Sequence, residues 1–218
     1  MNKTKVIQLI RDTGLIPVVR AESADLAMRA VEAIKAGGVG VLEVTMTVPG
    51  AIGVIEKLAA AYGAEALIGA GTVLDPETAR ACIEAGAQFI VSPALNEATI
   101  LFCRDKDVAI FPGALTPTEV VRAWNAGADA VKVFPAGAVG GASYLKALKA
   151  PLPQIELIPT GGVSLKTAAD FIKAGAMALG VGADLVDLKA LSEGNEGLIT
   201  ERARQFLEIV QVARATGA

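Results

Sequence analysis

Eight times along the chain, a short apolar run rich in β-branched residues is followed by an alanine-rich stretch with helical spacing. The apolar runs begin near Ile16, Val41, Leu67, Phe89, Ala109, Ala130, Glu156 and Ala178. The helical stretches cover roughly 24–36, 51–62, 76–84, 97–106, 117–125, 144–149, 165–173 and 200–213. Eight βα units, at intervals of about 20 to 26 residues, imply parallel strands with helices packed outside them. Closing that sheet on itself gives a (β/α)8 TIM barrel. We expect one such domain over 1–218, with an extra N-terminal helix in 1–11. A doubly wound open sheet is the main rival, and the absence of a glycine-rich dinucleotide fingerprint argues against it.

The punctuation agrees. Ser23, Asp75 before Pro76, and Asn96 stand where helices should open, and Thr116-Pro117-Thr118-Glu119 reads as a capping box with proline at the first helical position. Helices should close at Gly37, Gly86, Gly127 and Gly175, each preceded by alanine. These ends recur 41 to 49 residues apart, or two βα units, which is a weak internal repeat.

With 53% hydrophobic residues among 218, the chain can bury a large core. A net charge of -3 gives no reason to expect nucleic acid or an anionic membrane as partner. No charge-free apolar run reaches the roughly 18 residues of a membrane span, and residues 1–11 lack the apolar centre of a signal peptide. Cys82 and Cys103 show no metal-like spacing, so a reduced, cytoplasmic protein is expected, with no metal and no cofactor. The chain contains no histidine. Histidine triads, histidine bases and the common histidine-containing zinc sites are thereby excluded. Acid–base chemistry falls to Asp, Glu, Lys, Tyr or Cys.

The sixth strand, A-V-K-V-F-P from Ala130 to Pro135, sets Lys132 among apolar neighbours. Alternation puts Lys132 and Phe134 on one face and the two valines on the other. Burial disfavours a charged ammonium, and a neutral amine attacks carbonyls. The competing reading is a lysine paired with a buried carboxylate or reaching out at the strand end. Glu43, within V-L-E-V-T, is the matching carboxylate: an ion-pair partner for Lys132 or a general acid/base.

In a barrel, function gathers where strands end. Arg20 ends the first strand, suited to a carboxylate or phosphate, or to a rim ion pair. Gly69-Ala70-Gly71-Thr72 ends the third; its small residues allow a close approach, or only tight packing. Ser92-Pro93 and Phe111-Pro112-Gly113 are turn signals. Residues 135–141 are Gly- and Ala-rich and read as a mobile loop over the site. Thr160-Gly161-Gly162 and Gly180-Val181-Gly182, after the seventh and eighth strands, look like a phosphate cradle opening into helix N-termini. Glu56, Lys57, Glu77, Arg80, Lys146, Lys149, Lys166 and Lys173 read as solvated helix faces, and Trp124 and Phe102 as core.

Five motifs in order, G-G-V-x-V-L-E-V-T (37–45), I-G-A-G-T-V (68–73), G-A-Q-F-I-V-S-P (86–93), K-V-F-P-A (132–136) and P-T-G-G-V (159–163), resemble the 2-keto-3-deoxy-6-phosphogluconate (KDPG) / 4-hydroxy-2-oxoglutarate (KHG) aldolase family. The resemblance spans nearly the whole chain. It implies a class I, Schiff-base aldolase on a (β/α)8 barrel, assembled as a homotrimer and acting on a small-molecule 2-keto acid. Lys132 would form the imine and Glu43 serve as general acid/base. Thr72 and Thr160 would contact the pyruvate portion, Pro93 and Phe134 would line the pocket, and Gly161, Gly162 and Gly182 would hold a distal phosphate. Two positions depart from the family. Thr47 stands where some members carry a carboxylate-binding arginine, a charge that Arg20 can supply, and Ala183 stands where some carry a phosphate-binding serine. The alternatives are the galactonate-derived epimer or an unphosphorylated keto acid as substrate, a non-catalytic phosphometabolite-binding barrel, and a phosphate-binding isomerase without covalent catalysis.

Overall fold

The computed structural model describes residues 1–63 and 65–216. Helix α1, Lys3–Thr13, comes first. Parallel strands and helices then alternate: β1 Leu15–Val19, α2 Ala24–Ala36, β2 Val41–Thr45, α3 Ala51–Tyr62, β3 Leu67–Gly71, α4 Pro76–Glu84, β4 Phe89–Val91, α5 Glu97–Asp105, β5 Ala109–Phe111, β6 Gly113–Ala114, α6 Pro117–Asn125, β7 Val131–Val133, α7 Ala142–Lys149, β8 Leu157–Pro159, α8 Ala168–Lys173, β9 Leu179–Val181, α9 Leu188–Ser192 and α10 Glu196–Thr216. The strands pair in the order β5-β4-β3-β2-β1-β9 in one sheet and β6-β7-β8 in another.

The two sheets meet at both ends. The expected fifth strand is interrupted at Pro112, which has no N–H to donate to a ladder. Its carbonyl nevertheless accepts from Lys132 N at 2.9 Å. At the other seam, Thr160 forms an isolated parallel bridge with Gly180. The result is a curled, parallel α/β sheet.

Strand alternation sorts the side chains onto two faces. Leu42, Val44, Ile68, Ala70, Ile90, Val131 and Val133 point outward into the layer shared with the helices. Ile16, Val41, Leu67, Phe89, Val91, Phe111, Ala130 and Ile158 point inward, and Val6 and Ile10 of α1 join them. The N-terminal helix thus lays its apolar stripe against the strand interior. Lys3 of this helix pairs with Asp129 at 3.0 Å.

The caps act as their residue types require. Ser23, Asp75 and Asn96 accept from backbone N–H groups three residues on, and the Thr116–Glu119 capping box is complete. At three helix ends the left-handed residue is the expected Gly86, Gly127 or Gly175. At the fourth it is Gly38, because α2 continues one residue further and Gly37 stays right-handed.

Other expectations are corrected. Residues 135–141 are not an open loop: 136–139 form a 3₁₀ turn. Ala136 N and Gly137 N donate to the carbonyls of Thr160 and Gly161 at 2.9 and 2.8 Å. Helix α8 starts at Ala168 and not at 165, because left-handed Gly161 and Gly162 turn the chain and Thr167 Oγ1 accepts from Ser164 N. Helix α9, only five residues long, was too short for periodicity to reveal. Lys149 does not face water freely; its Nζ donates to the carbonyls of Pro153 and Ile155. Trp124 and Phe102 are partly buried against the core. No helix among the described residues is long and apolar enough to cross a membrane.

Candidate active site

Lys132 occupies the middle of β7, in register with Gly113 of β6 and Ile158 of β8. Val131 and Val133 face the helices, so Lys132 must face the interior, where it is 3% exposed. Its Nζ sits 5.4 Å from the ring centroid of Phe134, a distance at which the ring face attracts a cation.

Glu43 occupies the middle of β2, between Val18 of β1 and Gly69 of β3. It is 2% exposed, and among the described residues its Oε1 has no hydrogen-bond partner. Burial pushes its carboxyl above the ordinary carboxylate range, against the opposing pull of the Lys132 and Arg20 charges. Among the described residues, no ion pair joins Glu43 to Lys132. Of the two sequence readings, a tight structural pair is therefore not what forms.

Glycine makes room for both Phe89 and Glu43. A Cβ on Gly69 would overlap the Phe89 ring, coming within 2.5 Å of Cδ2. A Cβ on Gly71 would fall on Glu43 Oε1, within 2.5 Å of its Cδ and 2.7 Å of its Cγ. The close approach foreshadowed by G-A-G-T is thus made by the Glu43 carboxylate. Thr72, just beyond, has φ of 60°, a strained backbone for a β-branched residue.

Thr45, two residues above Glu43 on the same face, is fully buried. Its hydroxyl donates to Val19 O at 3.2 Å and lies 2.7 Å from Thr47 Oγ1. With the Thr45 proton committed to a carbonyl, Thr47 is the donor between the two hydroxyls.

At the C-terminal ends of the strands lies a cavity of about 190 Å³, walled by Arg20, Phe134, Thr160, Gly161, Gly162 and Gly182, with Val18, Gly180, Val163, Ala183 and Asp184. It gathers six of the expected site residues. Lys132 and Glu43 are not on its wall. Lys132 sits two residues before wall residue Phe134, and Glu43 is in register with wall residue Val18. Thr72 and Pro93 do not line it either; Pro93 packs against Gly113, whose added Cβ would touch the next backbone nitrogen, Ala94 N, at 2.6 Å. The glycine turns do not open straight into helices. Helix α8 begins six residues after Gly162, and α9 begins at Leu188, so the cradle consists of turn backbone and not helix ends. Val18, absent from the expected set, sits two residues before Arg20, so strand alternation alone could have added it, and Gly180 belongs to the glycine-rich turn already read as part of the cradle.

The KDPG and KHG aldolase family model matches residues 6–202. A KHG/KDPG aldolase of Escherichia coli (strain K12) is 34% identical over 206 residues, covering 94% of this chain and 96% of that protein. A 2-dehydro-3-deoxy-6-phosphogalactonate aldolase of the same strain is 39% identical over 172 residues, 78% of this chain and 83% of the other. The crystal structure of KDPG aldolase from Legionella pneumophila, with pyruvate captured at low pH as a covalent carbinolamine intermediate, is similar with a TM-score of 0.84 at 32% identity, covering 91% of this chain and 96% of that one. On this agreement across almost its full length, the chain belongs to the KDPG and KHG aldolase family and is a carbon–carbon lyase.

Proposed function

We propose that the protein is a class I aldolase that cleaves KDPG, or a related 2-keto-3-deoxy-4-hydroxy acid, to pyruvate and an aldehyde. The carrying observation is a buried lysine and a buried carboxylate that share one interior without pairing. The structural relative with pyruvate held as a carbinolamine supports covalent chemistry of this kind.

The steps follow from the groups present. Lys132 Nζ, as the neutral amine, attacks the C2 ketone, and loss of water gives an iminium. Glu43 takes the proton of the C4 hydroxyl, and the C3–C4 bond breaks. Its electron pair passes into the iminium, giving an enamine, while C4 leaves as the aldehyde carbonyl. Glu43 then returns a proton to C3, and water hydrolyses the imine to free pyruvate and Lys132. A carboxyl whose acid form is favoured by burial is suited to both accepting and returning that proton.

Arg20 and the Gly161, Gly162 and Gly182 backbone form an anion-compatible wall for the distal end of the substrate, and Thr160 on the same wall contacts the pyruvate portion. Thr72, Pro93 and Phe134 complete the pyruvate pocket in this reading. The curled sheet, bridged at Pro112 and at Thr160–Gly180, supports a closed (β/α)8 barrel preceded by α1 and extending over the chain as one domain. We carry the homotrimer over from the family; a native mass measurement tests it.

The test is to incubate the protein with pyruvate, reduce with borohydride and map the adduct by mass spectrometry. Pyruvate trapped on Lys132 is expected. Binding without an adduct on Lys132 overturns the scheme. A second reading, cleavage of the galactonate-derived epimer, is favoured by the 39% identity to the phosphogalactonate aldolase. Comparing cleavage of the two C4 epimers separates them.

A further inference from the structure

We propose that Gly71 is a positioning residue that holds the Glu43 carboxylate against β3, clear of Lys132, so that the two do not neutralise each other. This inference rests on the Schiff-base reading above for its chemistry, but its geometry stands alone. In the β2–β3 register, Gly69 faces Glu43 and Gly71 faces Thr45. Gly71 is therefore the diagonal neighbour of Glu43, within reach of a long side chain leaning along the strand.

Three Glu43 atoms, Oε1, Cδ and Cγ, fill the space that a side chain at 71 would need. The position directly opposite is already taken, because the Phe89 ring occupies the space above Gly69. Gly71 is thus the vacancy on β3 into which the carboxylate fits. Arg20 and Lys132 are the charged groups that Glu43 feels, and among the described residues it pairs with neither and its Oε1 has no partner.

A buried carboxylate and a buried amine in one apolar interior attract strongly. Where nothing holds them apart, the expected outcome is an ion pair in which the amine keeps its proton and loses its nucleophilicity. The bare Gly71 surface offers the carboxylate a resting place that no other residue could provide. Even alanine there would expel it toward the cations.

The experiment compares Gly71→Ala, Glu43→Ala and the double variant. Trapping of pyruvate by borohydride is followed from pH 6 to pH 9, alongside thermal unfolding. In Gly71→Ala the trapping yield at neutral pH should fall about tenfold or more and recover at alkaline pH, displacing the profile by about one pH unit. In the Glu43→Ala background the same glycine substitution should cost neither trapping nor melting temperature, because the clash is gone. A wild-type pH profile for Gly71→Ala overturns the proposal. So does a double variant that unfolds earlier than Glu43→Ala alone, a comparison that works even if Gly71→Ala by itself does not fold. A wild-type protein that gives no adduct refutes the Schiff-base reading instead, and the melting comparison still decides the geometric claim.

Discussion

Gly180 lies directly under the side chain of Thr160. A Cβ at position 180 would overlap Thr160 Oγ1 and come within 3.1 Å of Thr160 Cβ. The two residues also form the bridge that joins β8 to β9. Thr160 is 5% exposed, yet it lines the cavity. Replacing it with valine keeps the shape and removes one hydrogen-bonding group from the wall. We expect Thr160→Val to lower kcat/KM about tenfold, the usual scale for one polar contact. Melting temperature should stay within a degree or two. Steady-state kinetics with thermal unfolding checks this, and equal catalytic efficiency would remove Thr160 from substrate contact.

Glu43→Gln separates acid–base work from imine formation. The amide has nearly the shape of the acid but cannot exchange a proton in the same way. Turnover should fall by roughly 10²–10⁴, while borohydride still traps pyruvate on Lys132. Lys132→Ala should abolish both. Normal turnover in Glu43→Gln would assign the proton transfers to another group.

The same carboxyl makes a prediction about stability. Burial raises its folded value above the ordinary 4.5. Folding therefore favours the protonated form, and the associated stability is present below about pH 4.5 and lost as pH rises through the folded value. Glutamine carries no such penalty. The difference in melting temperature, Glu43→Gln minus wild type, should widen steadily from pH 4 toward neutrality. A difference that stays flat across that range would mean that burial costs the ionised carboxylate nothing.

Much of this was legible in the sequence because it rests on short-range rules. Strand alternation put Lys132 with Phe134, and Glu43 with Thr45, on the inner face. Capping chemistry fixed four helix starts, and positive-φ glycines fixed three ends. The rest was lost where the deciding contact is long-range. Nothing near Gly71 in sequence shows that Glu43, 28 positions earlier, leans into its space. The hydrogen bonds from Ala136 and Gly137 to the end of β8 likewise turn an apparent free loop into a tied turn. Pro112 was visible as a turn signal, but only the pairing of β5 with β4 before it and of β6 with β7 after it shows that it splits a strand.

Helix α6, immediately before the Lys132 strand, offers a test of local stability apart from the site. Thr116 Oγ1 accepts from Glu119 N, and Glu119 Oε2 accepts from Thr116 N and Leu115 N at 2.8 and 2.9 Å. These bonds hold the Glu119 carboxyl below its ordinary range. The stability they carry is present above the ordinary value and lost as pH falls through the lower, folded one. Thr116→Ala should cost about 1 kcal/mol at neutral pH, measured by urea unfolding, with turnover per folded molecule unchanged. A loss of turnover at full folding would tie the cap to the site.

Arg20 offers the test of what the cavity binds. It is exposed and lines the same wall as Gly161, Gly162 and Gly182. Asp184 is the opposing charge on that wall, and among the described residues the two form no ion pair. With Ala183 offering no hydroxyl and the glycine turns lying away from helix ends, Arg20 is the one cation on that wall among the described residues. A charged hydrogen bond is worth about 1.5–3 kcal/mol, or roughly 10- to 150-fold in binding. Arg20→Ala should therefore raise KM by that factor for a substrate with a distal phosphate. An unphosphorylated analogue should lose much less, and pyruvate trapping on Lys132 should persist. Arg20→Lys should recover only part of the loss, since an ammonium cannot reproduce the bidentate fork. Equal losses on phosphorylated and unphosphorylated substrates, together with weaker pyruvate trapping, would instead move Arg20 to the keto-acid carboxylate, the role left open by threonine at position 47.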